Sequence, residues 1–236
     1  MRPMLATRAE RVPTSPDWLH EVKWDGIRLL ADSVPDRGLR LTSRNENDVT
    51  AGYLELSRLG AGRDLLVDGE VVAFRDGLPS FAALADRMHV RDPRRVAALA
   101  ELKPVTLLIF DVLRLDGRDL TGLPLAQRRE VLEGLELLDE RWQVPAAYDD
   151  GQVLLRATEE QGLEGVISKR RSSRYEPGSR SRNWLKFPHR QRRSWVVGGW
   201  RPETGSQSRL GALLVGRPSI SGEPSGASSV SYTHLR

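Results

Sequence analysis

Cysteine is absent from the 236 residues. That excludes disulfides and thiolate metal sites, and it fits a reducing compartment. No apolar run approaches the roughly 18 residues that a membrane helix needs. The opening "MRPMLATRAERVP" has no apolar segment of the secretory kind. These absences lead to the expectation of a cytoplasmic chain without a membrane partner. Aromatic residues are scarce, at 6%, so few rings are available to stack on a base. Lysine is scarcest where it would be least expected. Of 36 basic residues only Lys23, Lys103, Lys169 and Lys186 are lysine, and the rest are arginine.

Hydrophobic residues make up 39% and charged residues 29%, which suits a globular protein. The net charge is only +4, but its distribution is uneven. Between Ser168 and Arg201 there are eleven Lys or Arg against one acid, Glu176. Such a run marks either a solvated surface or a polyanion partner, nucleotide or nucleic acid.

Short apolar and alternating runs predict strands at "WLHEVKW", "IRLLAD", "LRLTSR", "PVTLLIFDVLRL", "EGVISKR", "NWLKF", "SWVVGGW" and "LGALLVG". "RDLLVDGEVVAF" reads as a strand pair turning at Asp68-Gly69, followed by a turn at Asp76-Gly77. Helices are expected after Asp48 through "VTAGYLELSRL", after Ser80, from Pro124 through "PLAQRREVLEGLELL", and in "DGQVLLRATEEQG" ending at Gly162. The mixture predicts an α+β fold with mixed and antiparallel sheets.

The shortage of lysine gives its remaining positions weight. A guanidinium stays protonated and cannot act as a nucleophile. An ammonium that loses its proton can attack, and as a compact charge it can also hold a single phosphate. Lys23 stands in "HEVKWDGIR", a short pattern that is weak alone. An ordered series follows it: "SRN" at Ser43–Asn45, "VDGEVV" about Glu70, "LLIFDVL" about Phe110, "EGVISKR" with Glu164 and Lys169, and "NWLKF" with Lys186. Three of the four lysines fall inside these segments.

This ordered set resembles the nucleotidyltransferase motifs of ATP-dependent DNA ligases, in the bacterial end-joining branch. "RPMLA" and "VVGGWRPETG" resemble that branch too, so the resemblance covers about residues 3–216. It implies an adenylation domain over 1–188 and the beginning of an incomplete OB-fold barrel over 189–216. It implies that Lys23 attacks the α-phosphorus of ATP to form lysyl-AMP, and that AMP passes to a DNA 5′-phosphate before the 3′-hydroxyl seals the nick. Glu21 would read the nucleobase, and it shares a strand face with Lys23. Arg28 and Arg44 would contact ribose and phosphate, and Phe110 would stack on adenine. Lys169 and Lys186 would bind phosphates, with Arg180 a further nucleotide contact. Glu70, which would also touch the ribose, and Glu164 would hold Mg²⁺ or Mn²⁺. The implied partners are nicked or broken duplex DNA and end-joining repair proteins. The implied setting is a monomer in the bacterial cytoplasm, associated with the nucleoid.

Two departures qualify the resemblance. Pro188 stands where many relatives carry a second lysine, leaving that phosphate contact to another group such as Arg190. The barrel breaks off into "RPSISGEPSGASSVSYTHLR", so residues 217–236 are expected to be a disordered or artefactual tail on a truncated ligase, with impaired activity. Two other readings share part of the pattern: an RNA ligase or capping-type nucleotidyltransferase, and an inactive nick-binding module.

Overall fold

A computed structural model describes residues 1–88, 90–189, 196–203, 205, 210–216 and 231–234. The chain divides into two compact units, Met1–His189 and Arg190–Arg236. The first unit runs β1 (Leu5–Arg8), β2 (Trp18–Val22), β3 (Ile27–Val34), β4 (Gly38–Ser43), β5 (Leu65–Val72), β6 (Phe74–Arg75), β7 (Leu78–Pro79), α1 (Phe81–Ala85) and α2 (Pro93–Leu102). It continues with β8 (Thr106–Leu115), β9 (Arg118–Asp119), α3 (Leu125–Gly134), β10 (Trp142–Gln143), α4 (Gly151–Glu160), β11 (Gly165–Arg170) and β12 (Arg180–Pro188).

Two sheets organise it. One has the order β1-β12-β11-β2, with β1 parallel to β12 and the remaining pairs antiparallel. The other has the order β10-β8-β5-β3-β4, with β9 against β8. The unbroken apolar run of β8 is explained by burial on both faces along its first eight residues. A large core around Leu29, Val67, Leu107 and Ile109 packs one side of this second sheet against α3 and the 3-10 turns. A smaller cluster joins the two sheets. It sets Met4, Tyr175 and Trp184 against Leu30, Leu66 and Leu113.

Three expectations change. Asp68-Gly69 is not a turn, because β5 runs straight through it and pairs with both β3 and β8. Asp68 is buried there, and a Cβ on Gly69 would lie 2.8 Å from the Leu108 carbonyl oxygen. The glycine therefore serves close strand approach rather than chain reversal. The reversal occurs at Asp76-Gly77, whose φ values are 53° and 78°. The segment after Asp48 forms two 3-10 turns, Thr50–Gly52 and Leu54–Leu56, instead of a helix. Asp48 Oδ1 accepts from both the Thr50 amide (3.0 Å) and hydroxyl (2.6 Å), a local turn that competes with helix. Helix α2 was not expected; Asp92 caps it by accepting from the Arg95 amide, with Pro93 in its first turn.

Among its described residues, the second unit forms an antiparallel sheet of β13 (Val196–Pro202), β14 (Leu210–Gly216) and β15 (Ser231–His234), in that order. Within the segment expected to be a tail, Ser231–His234 pair with Ala212–Val215. Residues 217–230, and the expected phosphate contact Arg190, lie outside the described residues.

Candidate active site

The chain enters the site as β2 ends. The Lys23 amide donates to the Gly165 carbonyl at 2.8 Å, which carries the β2–β11 pairing one residue past the strand. Gly26 follows because a Cβ there would sit 2.2 Å from the Val71 carbonyl oxygen. Gly165 has φ 143°, and a Cβ there would meet the Phe187 carbonyl at 2.1 Å. The glycines of "KWDG" and "EG" thus let the lysine and glutamate loops pass close to neighbouring strands.

Residues from both sheets enclose a cavity of about 200 Å³. Glu21, Lys23, Arg28, Arg44, Glu70, Phe110, Lys169, Arg180 and Lys186 all line it. Glu164 is not in the lining, but its Oε1 lies 2.5 Å from Lys23 Nζ. Among the described residues, every site residue expected from the sequence is therefore on this cavity or joined to it.

Lys186 is near Lys23, Arg180 and Arg44. Burial first, and then these cations, hold its ammonium below the usual lysine range. Arg180 is braced by donating to the Ala6 carbonyl at 2.7 Å. This part of the cavity is an anion site by charge. Glu70 behaves differently. Burial pushes its carboxyl up to about 7, assisted by Asp68 and Glu164 and opposed by Arg28 and Lys23.

Two expected phosphate or ribose contacts are committed elsewhere. Lys169 is 2% exposed, with Nζ 2.6 Å from Glu21 Oε2. Its ammonium lies 4.3 Å from the Phe110 ring centre and 4.4 Å from that of Trp184. Strand alternation puts Lys169 on the face of Ile167, inside the cavity, while Ser168 turns away to bond His20. Burial lowers the Lys169 pKa and Glu21 counters it. Arg28 makes paired 2.6 Å hydrogen bonds to Asp68 and lies 4.6 Å from the Phe110 ring centre. Burial works against its charge, but the Asp68 carboxylate outweighs that and raises its pKa. Phe110 is thus a wall of the cavity with two cations on its ring.

Sequence reasoning missed the supports of this arrangement. Asp68 also accepts from the Tyr175 hydroxyl at 2.5 Å, and Trp184 forms a further wall. Arg129 of α3 reaches Glu21 at 3.8 Å. Two arginines, Arg128 and Arg129, on the buried side of α3 were the available signal.

Among the described residues no cluster of three His, Cys, Asp or Glu forms a metal cage. Glu70 and Glu164 fit the lighter arrangement of Mg²⁺, which takes one or two carboxylates and completes its shell with substrate phosphate and water.

Two sheets clasping a cavity with one end cationic and the other aromatic, and with a lysine on an inter-strand loop, define a nucleotide-binding α+β domain of the nucleotidyltransferase type. The model of the ATP dependent DNA ligase domain matches residues 3–187. The chain belongs to that family. It is 38% identical over 229 residues to the multifunctional non-homologous end joining protein LigD of Mycobacterium bovis, covering 94% of this chain and 28% of the relative. It is 32% identical to DNA ligase C of Mycobacterium tuberculosis, covering 91% of this chain and 61% of that protein. The chain thus spans little more than a quarter of the length of the LigD relatives it matches. The structure of mycobacterial DNA ligase D complexed with ATP and MES superposes with a TM-score of 0.71 at 36% identity, over 92% of this chain and 68% of that one.

Proposed function

We propose that this chain joins DNA strands at the expense of ATP, beginning with transfer of AMP to Lys23. The observation that carries the reading is Lys23 at a cationic cavity end, 2.5 Å from the Glu164 carboxylate. Nζ, having given up its ammonium proton to solvent, attacks the α-phosphorus; the bond to pyrophosphate breaks, and the second proton on nitrogen also passes to solvent. Lys186, Arg180 and Arg44 bind the phosphate oxygens where negative charge develops. Phe110 stacks on the base, and Glu21 faces its polar edge. Glu70 and Glu164 would hold the divalent metal, which supplies charge neutralisation on the phosphates when bound. AMP then passes to a DNA 5′-phosphate, and the 3′-hydroxyl displaces it to seal the strand.

On this reading Met1–His189 is the adenylation unit and the second unit begins an OB barrel. Nicked or broken duplex DNA is the substrate, end-joining repair proteins are the partners, and a monomer acts at the bacterial nucleoid. Among the described residues no helix is long and apolar enough to cross a membrane.

Incubation with α-labelled ATP and Mg²⁺ tests the first step. Label should reach the chain through an acid-labile, base-stable bond, and Lys23→Arg should remove it, because a guanidinium keeps its proton. Label that persists in Lys23→Arg refutes the assignment.

A further inference from the structure

Lys103 is the one lysine outside the motif segments. It closes α2, and its ammonium lies 2.5 Å from Asp86, just past α1. It also lines a groove of about 390 Å³ at one end of the second sheet, between the exit of β5 and the start of β8. Phe74, Leu102 and Pro104 give the groove apolar walls, and Arg75, Lys103 and Arg141 give it charge. None of its lining residues lines the Lys23 cavity. The apolar walls are open to water: Leu102 is 79% exposed and Phe74 45%. Phe74 stands out because its strand pairs only with β7, in a ribbon that joins neither large sheet. Leu78, Phe81 and Met88 are exposed along the same stretch of chain, and apolar surface gathered in this way marks an interaction site. The charge is equally one-sided. Asp86 sits among Lys103, Arg75 and Arg95, and Lys103 first, then the two arginines, hold its carboxyl below the usual range. Among the described residues, the carboxylates that reach these cations are Asp86, and Glu140 at 4.0 Å from Arg141. Four cations thus stand against two acids.

We propose that this groove docks a segment of a partner protein in which acidic residues flank an apolar anchor, Phe, Trp or Leu. A guanidinium forks onto a carboxylate with two parallel hydrogen bonds, which suits Arg75 and Arg141. An apolar side chain entering beside Phe74 and Leu102 removes exposed hydrocarbon from water, and such anchors carry most of the energy of small interfaces. The surplus of cations steers acidic partners towards the groove and repels basic ones. Duplex DNA supplies only half of this complement. Its negative charge lies along a polar backbone and its bases are stacked inside, so nothing on it fills the apolar walls. Docking is independent of the ligase reading, since it needs neither Lys23 nor ATP.

Panning a phage-displayed library of random dodecapeptides on the full chain, after depletion on the Leu102→Glu variant, reads the preferred chemistry. Enriched sequences should carry Asp or Glu beside Phe, Trp or Leu. A fluorescein-labelled synthetic peptide of that consensus should bind with a Kd of roughly 10–100 µM, as a small transient contact does. Arg75→Glu and Leu102→Glu should each weaken binding at least about tenfold, and Arg75→Lys, which keeps the charge, should retain part of it. Both side chains are exposed and outside the Lys23 cavity, so melting temperature and labelling by α-labelled ATP should stay at the parent's level. No enrichment, a basic or purely apolar consensus, or a peptide that binds both variants as tightly as the parent overturns the proposal. Two further results would overturn it by naming another occupant. A nicked duplex that displaces the peptide and loses affinity in Leu102→Glu would assign the groove to DNA. A concentration-dependent dimer in sedimentation that Leu102→Glu dissolves would assign it to a second copy of this chain. A chain that binds the peptide but takes no label from ATP would sink the ligase reading and leave the docking groove standing.

Discussion

His20 sits immediately before the site and is fully buried, with Nδ1 2.8 Å from Ser168 Oγ and the ring against Gly151. Burial lowers its pKa below 6.5; Asp150 and Asp149 oppose this and Arg171 adds to it. The unfolded chain therefore binds this proton more readily than the folded one. Stability should be full above the unfolded value and decline as pH falls from 6.5 towards the lower folded value. Thermal melting across pH 5–8 should show the decline, and His20→Gln should flatten it. An identical pH profile in the variant would exclude His20 as the source. Individual residues were legible to different degrees. Lys23 stood out because arginine fills almost every other basic position, and Glu21 followed from strand alternation. Lys169 could be placed in the site but not given its contact. Its burial depends on Phe110 and Trp184, which come from two other strands in two different sheets.

At the level of elements, α3 carries more than its apolar stripe suggests. Arg128 is fully buried and makes two 2.8 Å hydrogen bonds to Asp111, the neighbour of Phe110 on β8. It also donates to the Leu123 and Ser173 carbonyls. Arg128→Met should cost roughly 3–5 kcal/mol, because Asp111 is left charged and alone in the core. The double variant with Asp111→Leu should recover much of that loss. Urea unfolding of the three proteins checks this, and a double variant no better than the single would contradict it. Most strands could be read from period and β-branched content. β5 could not be read correctly, since Asp-Gly usually signals reversal. Only the approach of β8 to Gly69, and the Arg28 and Tyr175 partners of Asp68, make a straight strand favourable there.

At the scale of the whole molecule, positive charge gathers late in the chain. Eleven Lys or Arg stand against Glu176 between Ser168 and Arg201, and Lys186 and Arg180 within that stretch line the cavity. Affinity for nicked duplex DNA should fall linearly with the logarithm of salt concentration, with a slope near −0.9 for each phosphate engaged. Titrations between about 50 and 200 mM salt measure it, and an affinity indifferent to salt would refute DNA binding through this stretch.

The parallel pairing of β1 with β12 sets Leu5 beside Arg180 and Arg8 beside Lys186. Strands that join the two ends of a folding unit close late, since the loop between them must first be ordered. During synthesis, a ribosome that has released the lysine loop and β3 to β8 has still not released the strand that carries Lys186. The nascent chain can then bury part of its core, but it cannot trap a nucleotide or become adenylated early. Competence to react should appear in one step, once β12 clears the exit tunnel. On the proposed function, chains that stall before that point would be silent rather than partly active.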